Sequence, residues 1–502
     1  MRRRSTRHGS LAAGVVLLAL GAATASPPSF EELFVPRTLR IDLVRSGTAS
    51  GHGWSLLRLS TEGAWAGPRR HLLDPHDLGG ARVVLLDASS GERIYSRSFS
   101  SLFDEWLATG EARQDRRRAM TETIRVPCPR APVDLLIEAR DDDAFSEVFR
   151  WPVDPRAALP PAPAPAAHET VVIRPGPPRA RAVDLLIVGD GYPDRQREKF
   201  RRDAARLVDA LLAIAPFRDR QDLFGVTALR ITGRGLGPVE PRKGLFPPAA
   251  LTAFDTFGSP RYLLPFTGSR LQDLAGAVPH DLLVVMVNAA RYGGGGLFGG
   301  ATVFTADGEY PEALFIHEFG HSLAGLADEY FSSQVAYEDF YSPSRRPWEP
   351  NLSASARRDA LPWADLVDPA TPLPTPDLPA FDGVVGAFEG AGYVPRGLFR
   401  PWRRCRMRDK GAAEFCPVCR RALAARLDFL ADRPLKPAGT ARGPKERTQY
   451  TVERRMLTRL FRPDFGPFAE VWRARRGRTP RYLRCTIASE RAYTFFAPRW
   501  TQ

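Results

Sequence analysis

Apolar and polar residues alternate in short stretches through the first third of the chain. Leu39-Arg-Ile-Asp-Leu-Val44, Ala81-Arg-Val-Val-Leu-Leu-Asp87 and Val133-Asp-Leu-Leu-Ile-Glu138 are separated by Gly, Pro and Asp turns. A period of two places alternate side chains on opposite faces of a strand, so residues 30–155 read as a β-sandwich domain. Leu159-Pro-Pro-Ala-Pro-Ala-Pro165 and Pro175-Gly-Pro-Pro178 favour extended polyproline conformation, and 156–181 are expected to be a Pro/Ala-rich linker. The pattern then changes. Val183-Asp-Leu-Leu-Ile-Val188 is a nearly continuous apolar run entering Gly189-Asp190-Gly191, which predicts a buried strand ending in a turn with a structural Asp. Phe200, Ala204, Leu207, Val208, Leu211 and Ile214 recur at helical spacing until Pro216. Val226–Thr232 and Leu282–Val287 are further strand candidates, so 182–436 reads as an α/β domain. Residues 437–502 form a basic extension whose fold the pattern does not specify.

The chain has 502 residues, 43% of them hydrophobic, enough apolar material for folded cores in more than one domain. Arg2, Arg3, Arg4 and Arg7 precede an apolar run from Leu11 to about Ala23, and Ala23-Thr24-Ala25 offers small residues for cleavage. Residues 1–25 therefore read as a signal peptide, which implies an exported protein, periplasmic or extracellular, without a stable membrane anchor. The four arginines also account for part of the net charge of +14. With no compact basic block interleaved with aromatics, the remainder reads as solvated surface, and no nucleic-acid partner is expected. Export makes disulfides available, and a bridge from Cys405 to Cys416 or Cys419 is expected. A thiolate zinc knuckle is set aside, because it needs four ligands and only three cysteines lie nearby, with no His after residue 321.

His317-Glu318-Phe319-Gly320-His321 carries the chemistry. On a helix, residues four apart share a face, so both imidazoles can meet one Zn2+ while Glu318 stands beside them as general base. Pro311 and Glu312 suit the first turn of that helix and Gly325 its end. A catalytic zinc needs a third protein ligand and an open position. Beyond His321 that ligand must be a carboxylate: Asp328 is favoured over Glu329, with the other acid orienting a histidine Nδ1. Gly325 to Asp328 matches the metzincin spacing from helix-breaking glycine to third ligand, although the glycine comes one residue later than usual. Met407, in Cys405-Arg-Met-Arg408, is placed to form a hydrophobic floor, and Tyr330 is grouped with Gly325 as supporting the site. Gly293–Gly296 reads as a flexible loop before an edge strand at Leu297–Thr305, expected to pair with substrate backbone.

Taken together these stretches resemble the immunoglobulin A peptidase family of secreted zinc metallo-endopeptidases. The resemblance runs through Leu185-Leu-Ile-Val-Gly-Asp-Gly-Tyr192, Ala253-Phe-Asp-Thr-Phe-Gly258, Asn288 with Tyr292-Gly-Gly294, His317 to Tyr330, Val385-Gly-Ala-Phe-Glu-Gly-Ala-Gly-Tyr393 and Cys405-Arg-Met-Arg408 through Cys419. Glu62-Gly-Ala-Trp-Ala-Gly67, Tyr95-Ser-Arg-Ser-Phe-Ser100 and Asp104 to Ala112 are similar to that family's N-terminal domain. The resemblance covers about residues 37 to 430. It implies a β-sandwich followed by a metzincin-like α/β zinc peptidase domain, with zinc on His317 and His321, Glu318 as base, and a protein or peptide as substrate. The competing expectation is an exported glycan- or surface-binding protein with a purely structural zinc.

Overall fold

The computed structural model describes residues 28–435, except 235–236, 266–267, 333–339 and 342–345, together with the backbone of 484–487 and 493–496. The signal segment 1–25 and most of 437–502 lie outside the described residues. The chain forms two compact units, Met1–Gly443 and Pro444–Gln502. In the second, β18 (Arg484–Ile487) pairs antiparallel with β19 (Tyr493–Phe496).

The alternating N-terminal stretches form two antiparallel sheets. β1 (Phe34–Thr48) lies between β2 (Gly51–Ala64) and β5 (Arg118–Pro129). The second sheet runs β4 (Arg93–Phe99), β3 (Ala81–Asp87), β6 (Val133–Asp141), β7 (Ala144–Val153). Leu39, Ile41 and Leu43 from the first sheet and Val83, Leu85, Leu135 and Ile137 from the second share one core, so the period of two directs each inner face onto the other. Short helices α1 (Phe30–Leu33), α2 (Leu102–Leu107) and α3 (Gly110–Arg113) complete this part.

Beyond it lies a six-stranded mixed sheet. Its order is β14 (Gly294–Gly296), β15 (Ala301–Thr305), β13 (Leu282–Val287), β9 (Val183–Asp190), β10 (Phe224–Ile231), β8 (His168–Arg174). The four inner strands are parallel and the two edges antiparallel. Both faces are covered, which accounts for the continuous apolar run of β9: Leu185 and Ile187 enter the larger core, Leu186 and Val188 the smaller one on the other side. Helices α4 (Arg197–Leu212), α6 (Pro311–Ala324) and α7 (Pro417–Leu430) pack on the larger-core face. On the other side are α5 (Gly268–Ala275) and the short pair β11 (Thr252–Ala253) and β12 (Leu264–Pro265). Asp190 is structural, its Oδ2 accepting the Thr252 N–H at 3.0 Å and the Thr252 hydroxyl at 2.6 Å.

Two expectations need correction. The linker is not a free spacer throughout, since His168–Arg174 within it form β8, whose Val171 and Val172 pair with Ala228 and Thr227 of β10. A strand of seven residues inside a Pro-rich stretch becomes stable because a neighbouring strand accepts it. Nor is Leu297–Thr305 the edge strand: β15 is paired on both sides, and the glycine run β14 forms the edge. Gly294 on that edge is already engaged, donating to Arg261 O at 3.2 Å and accepting from Leu263 N–H at 3.3 Å.

The two parts of the first unit are joined by polar contacts. Arg426 of α7 donates to both Asp74 oxygens at 3.2 Å, and the Asp432 carboxylate accepts the backbone N–H groups of Arg69, Arg70 and His71 at 2.7, 2.9 and 3.1 Å. These contacts fix the end of the helix that carries Cys416 and Cys419.

The glycines of β14 allow the sheet edge to touch α6. A Cβ on Gly296 would lie 2.1 Å from Glu318 O and 2.9 Å from the His321 Cβ, whereas a Cβ on Gly51 would meet nothing within 4 Å. Gly296→Ala is therefore expected to destabilise the fold by about 1–3 kcal/mol, with Gly51→Ala near neutral, as read by denaturant midpoints. Equal midpoints for the two variants would show that this close approach is not required.

Candidate metal centre

Helix α6 begins with Pro311 in its first turn and ends at Gly325, whose φ of +59° puts it in the left-handed conformation. Its N–H bonds His321 O at 2.9 Å, and a Cβ there would collide with Trp348 at 2.5 Å. That turn reverses the chain, so that Leu326 O meets the His321 Nδ1 at 2.5 Å and Asp328 folds back over the helix. On the other histidine, Nδ1 faces Arg406 O at 3.1 Å. A carbonyl can only accept, so each Nδ1 carries a hydrogen and each imidazole, when neutral, presents its Nε2 lone pair inward.

Those lone pairs converge. His317 Nε2 and His321 Nε2 are 3.2 Å apart, and Asp328 Oδ1 lies 2.9 Å from the first and 3.4 Å from the second. Asp328 Oδ1 is buried without a hydrogen bond. Four ligands at the usual zinc–nitrogen and zinc–oxygen lengths of about 2.0–2.1 Å are separated by about 3.3 Å along the edges of a tetrahedron, so these three atoms fit a Zn2+ site. The surrounding charges call for a cation among these atoms, a proton where no metal is bound. Burial disfavours a charged His321, yet the Asp328 carboxylate draws it up to about 9. Asp328, which burial alone would raise, is held well below its ordinary range by His321 and His317.

Glu318 is the next residue on the same helix and sits over Gly294, its Oε1 3.1 Å from where a Cβ there would stand. Burial raises its carboxyl despite the opposing pull of His317 and His321. All four residues line a cleft of 1190 Å³ whose walls come from both parts of the unit, including Arg45 and Glu105 on one side and Tyr292, Tyr330 and Tyr393 on the other.

Of the supporting residues, Met407 is fully buried, its sulfur 2.9 Å from where a Gly320 Cβ would project, so it packs against α6 at Gly320. Tyr330 stacks on His317, the ring centroids 6.5 Å apart. Two contributors were not singled out from the sequence. Tyr393, at the turn between β16 (Phe388–Ala391) and β17 (Val394–Arg400), donates its hydroxyl to Asp328 Oδ2 at 2.6 Å. Asn351 holds the ligand loop from behind, its Oδ1 accepting Ala327 N–H at 2.7 Å and its Nδ2 donating to Glu329 Oε1 at 2.9 Å. Tyr393 was legible only within the Val385–Tyr393 block, and Asn351 carries no local signal.

The cysteines and Glu329 depart from expectation. Glu329 orients neither imidazole; its side chain points away from the histidines to Cys419, with Oε1 3.3 Å from the sulfur. Cys405, Cys416 and Cys419 are free thiols, and Cys405 and Cys419 sulfurs stand 3.8 Å apart, so the expected bridge is not formed. Successive residues of an extended segment face opposite ways, which is why Asp328 and Glu329 serve different clusters.

Residues 171–380 and 378–427 match the family described as IgA Peptidase M64, and residues 29–150 match Peptidase M64 N-terminus. No curated protein matches the chain. Among the described residues, no helix is long and apolar enough to cross a membrane.

Tyr393→Phe keeps the ring and removes the donor that restrains Asp328. Retention of the metal against a competing chelator is expected to weaken about 10-fold. Unchanged retention would show that Asp328 is held well enough without the Tyr393 hydroxyl.

Proposed function

The chain belongs to the IgA peptidase M64 family and is a zinc metallopeptidase, and we propose that it is an exported endopeptidase working from His317, His321, Asp328 and Glu318. The observation that carries this reading is the convergence of three lone-pair atoms in an open cleft with a fourth carboxylate beside them. His317, His321 and Asp328 would hold the zinc, which when bound supplies Lewis acidity to the scissile carbonyl and to the attacking water. Glu318 accepts the proton of that water and returns it to the leaving amine, a role that its raised affinity for protons suits. Arg406 O and Leu326 O keep the two imidazoles in the tautomer that presents Nε2. Met407, packed against α6 at Gly320, would serve as the methionine floor of a metzincin-like arrangement. The opposed N-terminal sheets fit a β-sandwich, and the basic and apolar pattern of residues 1–25 supports export. Family membership displaces the non-enzymatic binding protein as an alternative.

The test is cleavage of a degenerate peptide library by the full chain, with and without chelator. Chelator-sensitive cleavage is expected, and Glu318→Gln should retain zinc while losing about 10²–10⁴-fold in turnover. Near-normal turnover by that variant would remove Glu318 as the base, and cleavage insensitive to complete metal removal would overturn the metal mechanism.

A chain lacking residues 2–25 is expected to stay in the cytoplasm when expressed in a bacterial host, whereas the full chain is exported and shortened. Equal distribution of the two would refute the export reading.

A further inference from the structure

Beneath the cleft lies a second group of ligand atoms that the peptidase reading does not use. Cys405, Cys416, Cys419 and Glu329 are all buried, and one ligand atom from each lies within 4.8 Å of the others. We propose that these four residues form a second, structural Zn2+ site. It needs no part of the reading of His317, His321 and Asp328, and contributes no open position for chemistry.

The spacing favours a metal over a disulfide. Zinc–sulfur bonds of about 2.3 Å place two sulfurs about 3.8 Å apart along the edge of a tetrahedron, and a sulfur and a carboxylate oxygen about 3.5 Å apart. The Cys405 and Cys419 sulfurs are 3.8 Å apart, and the Cys419 sulfur is 3.3 Å from Glu329 Oε1. A bridged pair would stand at about 2.05 Å and leave the third thiol without a role.

Two of the sulfurs accept backbone N–H groups. Cys416 caps α7, and its sulfur accepts the Cys419 N–H at 3.4 Å, while the Cys405 sulfur accepts the Cys416 N–H at 3.3 Å. Both bonds, with the helix N-terminus, favour negative sulfur. Glu329 supplies the independent observation: its side chain is wholly buried, Oε1 is held by Asn351, and Oε2 has no hydrogen-bond partner. A buried carboxylate oxygen without a donor is costly unless a cation satisfies it. Three thiolates and one carboxylate around one Zn2+ carry net negative charge, and Arg406, next in sequence to Cys405, is buried.

The site would join three distant segments. Cys405 immediately precedes Arg406, whose carbonyl orients His317, and Glu329 immediately follows Asp328 and donates its N–H to Met407 O at 2.9 Å. Cys416 and Cys419 add the start of α7. One ion would thus hold the turn under one histidine and the loop bearing the third candidate ligand in fixed relation.

Metal content of the full chain, purified without chelator, tests this directly. Two zinc ions per chain are expected. His321→Ala should lose one and keep the other, and Glu329→Gln or Cys416→Ser should lose the other and keep the first. Replacement of zinc by cobalt in the unaltered chain should give thiolate-to-cobalt charge-transfer absorption that persists in His321→Ala. The unaltered chain settles the matter even if the cysteine variant does not fold. One zinc per chain without a thiolate–cobalt band, or a peptide map of the unreduced chain showing Cys405 linked to Cys416 or Cys419, overturns the second site. Loss of the first metal alone in the unaltered chain would instead count against the peptidase centre and leave the thiolate band intact.

Discussion

Two imidazole nitrogens and a carboxylate oxygen, 2.9 to 3.4 Å apart in a buried cleft, repel one another unless positive charge lies among them. Much of the surrounding structure has the effect of keeping them there. Arg406 O and Leu326 O take the Nδ1 hydrogens, which leaves each imidazole with its lone pair directed inward. Tyr393 satisfies the outer oxygen of Asp328 and Asn351 fixes the backbone leading to it, so the remaining oxygen cannot turn away to find a donor of its own.

The same constraint explains why the elements around α6 are so unlike one another in composition. On the sheet side, glycines let β14 approach the helix backbone more closely than any side chain permits. On the opposite side, Gly320 leaves room for the Met407 sulfur, which fills an irregular space with polarizable bulk. The helix is held between a strand without side chains and a methionine without branching, and both contacts depend on what is missing at a glycine. At its end Gly325 performs a conformational task, turning the chain through a left-handed residue so that the third candidate ligand returns to the helix.

The N-terminal sheets are more than an appendage. Their residues form one wall of the cleft, and the buried pair of Arg426 with Asp74 ties them to α7. Because Cys416 caps α7 and Cys419 lies in its first turn, this helix links the thiol cluster to the N-terminal part. A substrate in the cleft would touch both parts of the unit at once, which suits recognition of an extended chain more than of a small molecule.

Period and spacing determined a good deal. Period-two alternation gave the N-terminal strands, the unbroken run at Val183–Val188 a strand covered on both faces, and the four-residue step from His317 to His321 a shared helical face, because these are properties of neighbours along the chain. The spacing from Gly325 favours Asp328 over Glu329, and Asp328 is the acid whose Oδ1 lies beside both imidazoles. Tertiary structure decided the rest. The carbonyl that orients His317 lies 89 residues away, and carbonyls have no sequence signature. Asn351 and Tyr393 reach the ligand loop only through folds of the chain that no local pattern encodes. Export suggests a bridge among the cysteines, and a count of nearby cysteines finds no fourth ligand for a zinc knuckle. That ligand, Glu329, stands 90 residues from Cys419 in sequence and 3.3 Å from it in space, a proximity that only the packed core creates.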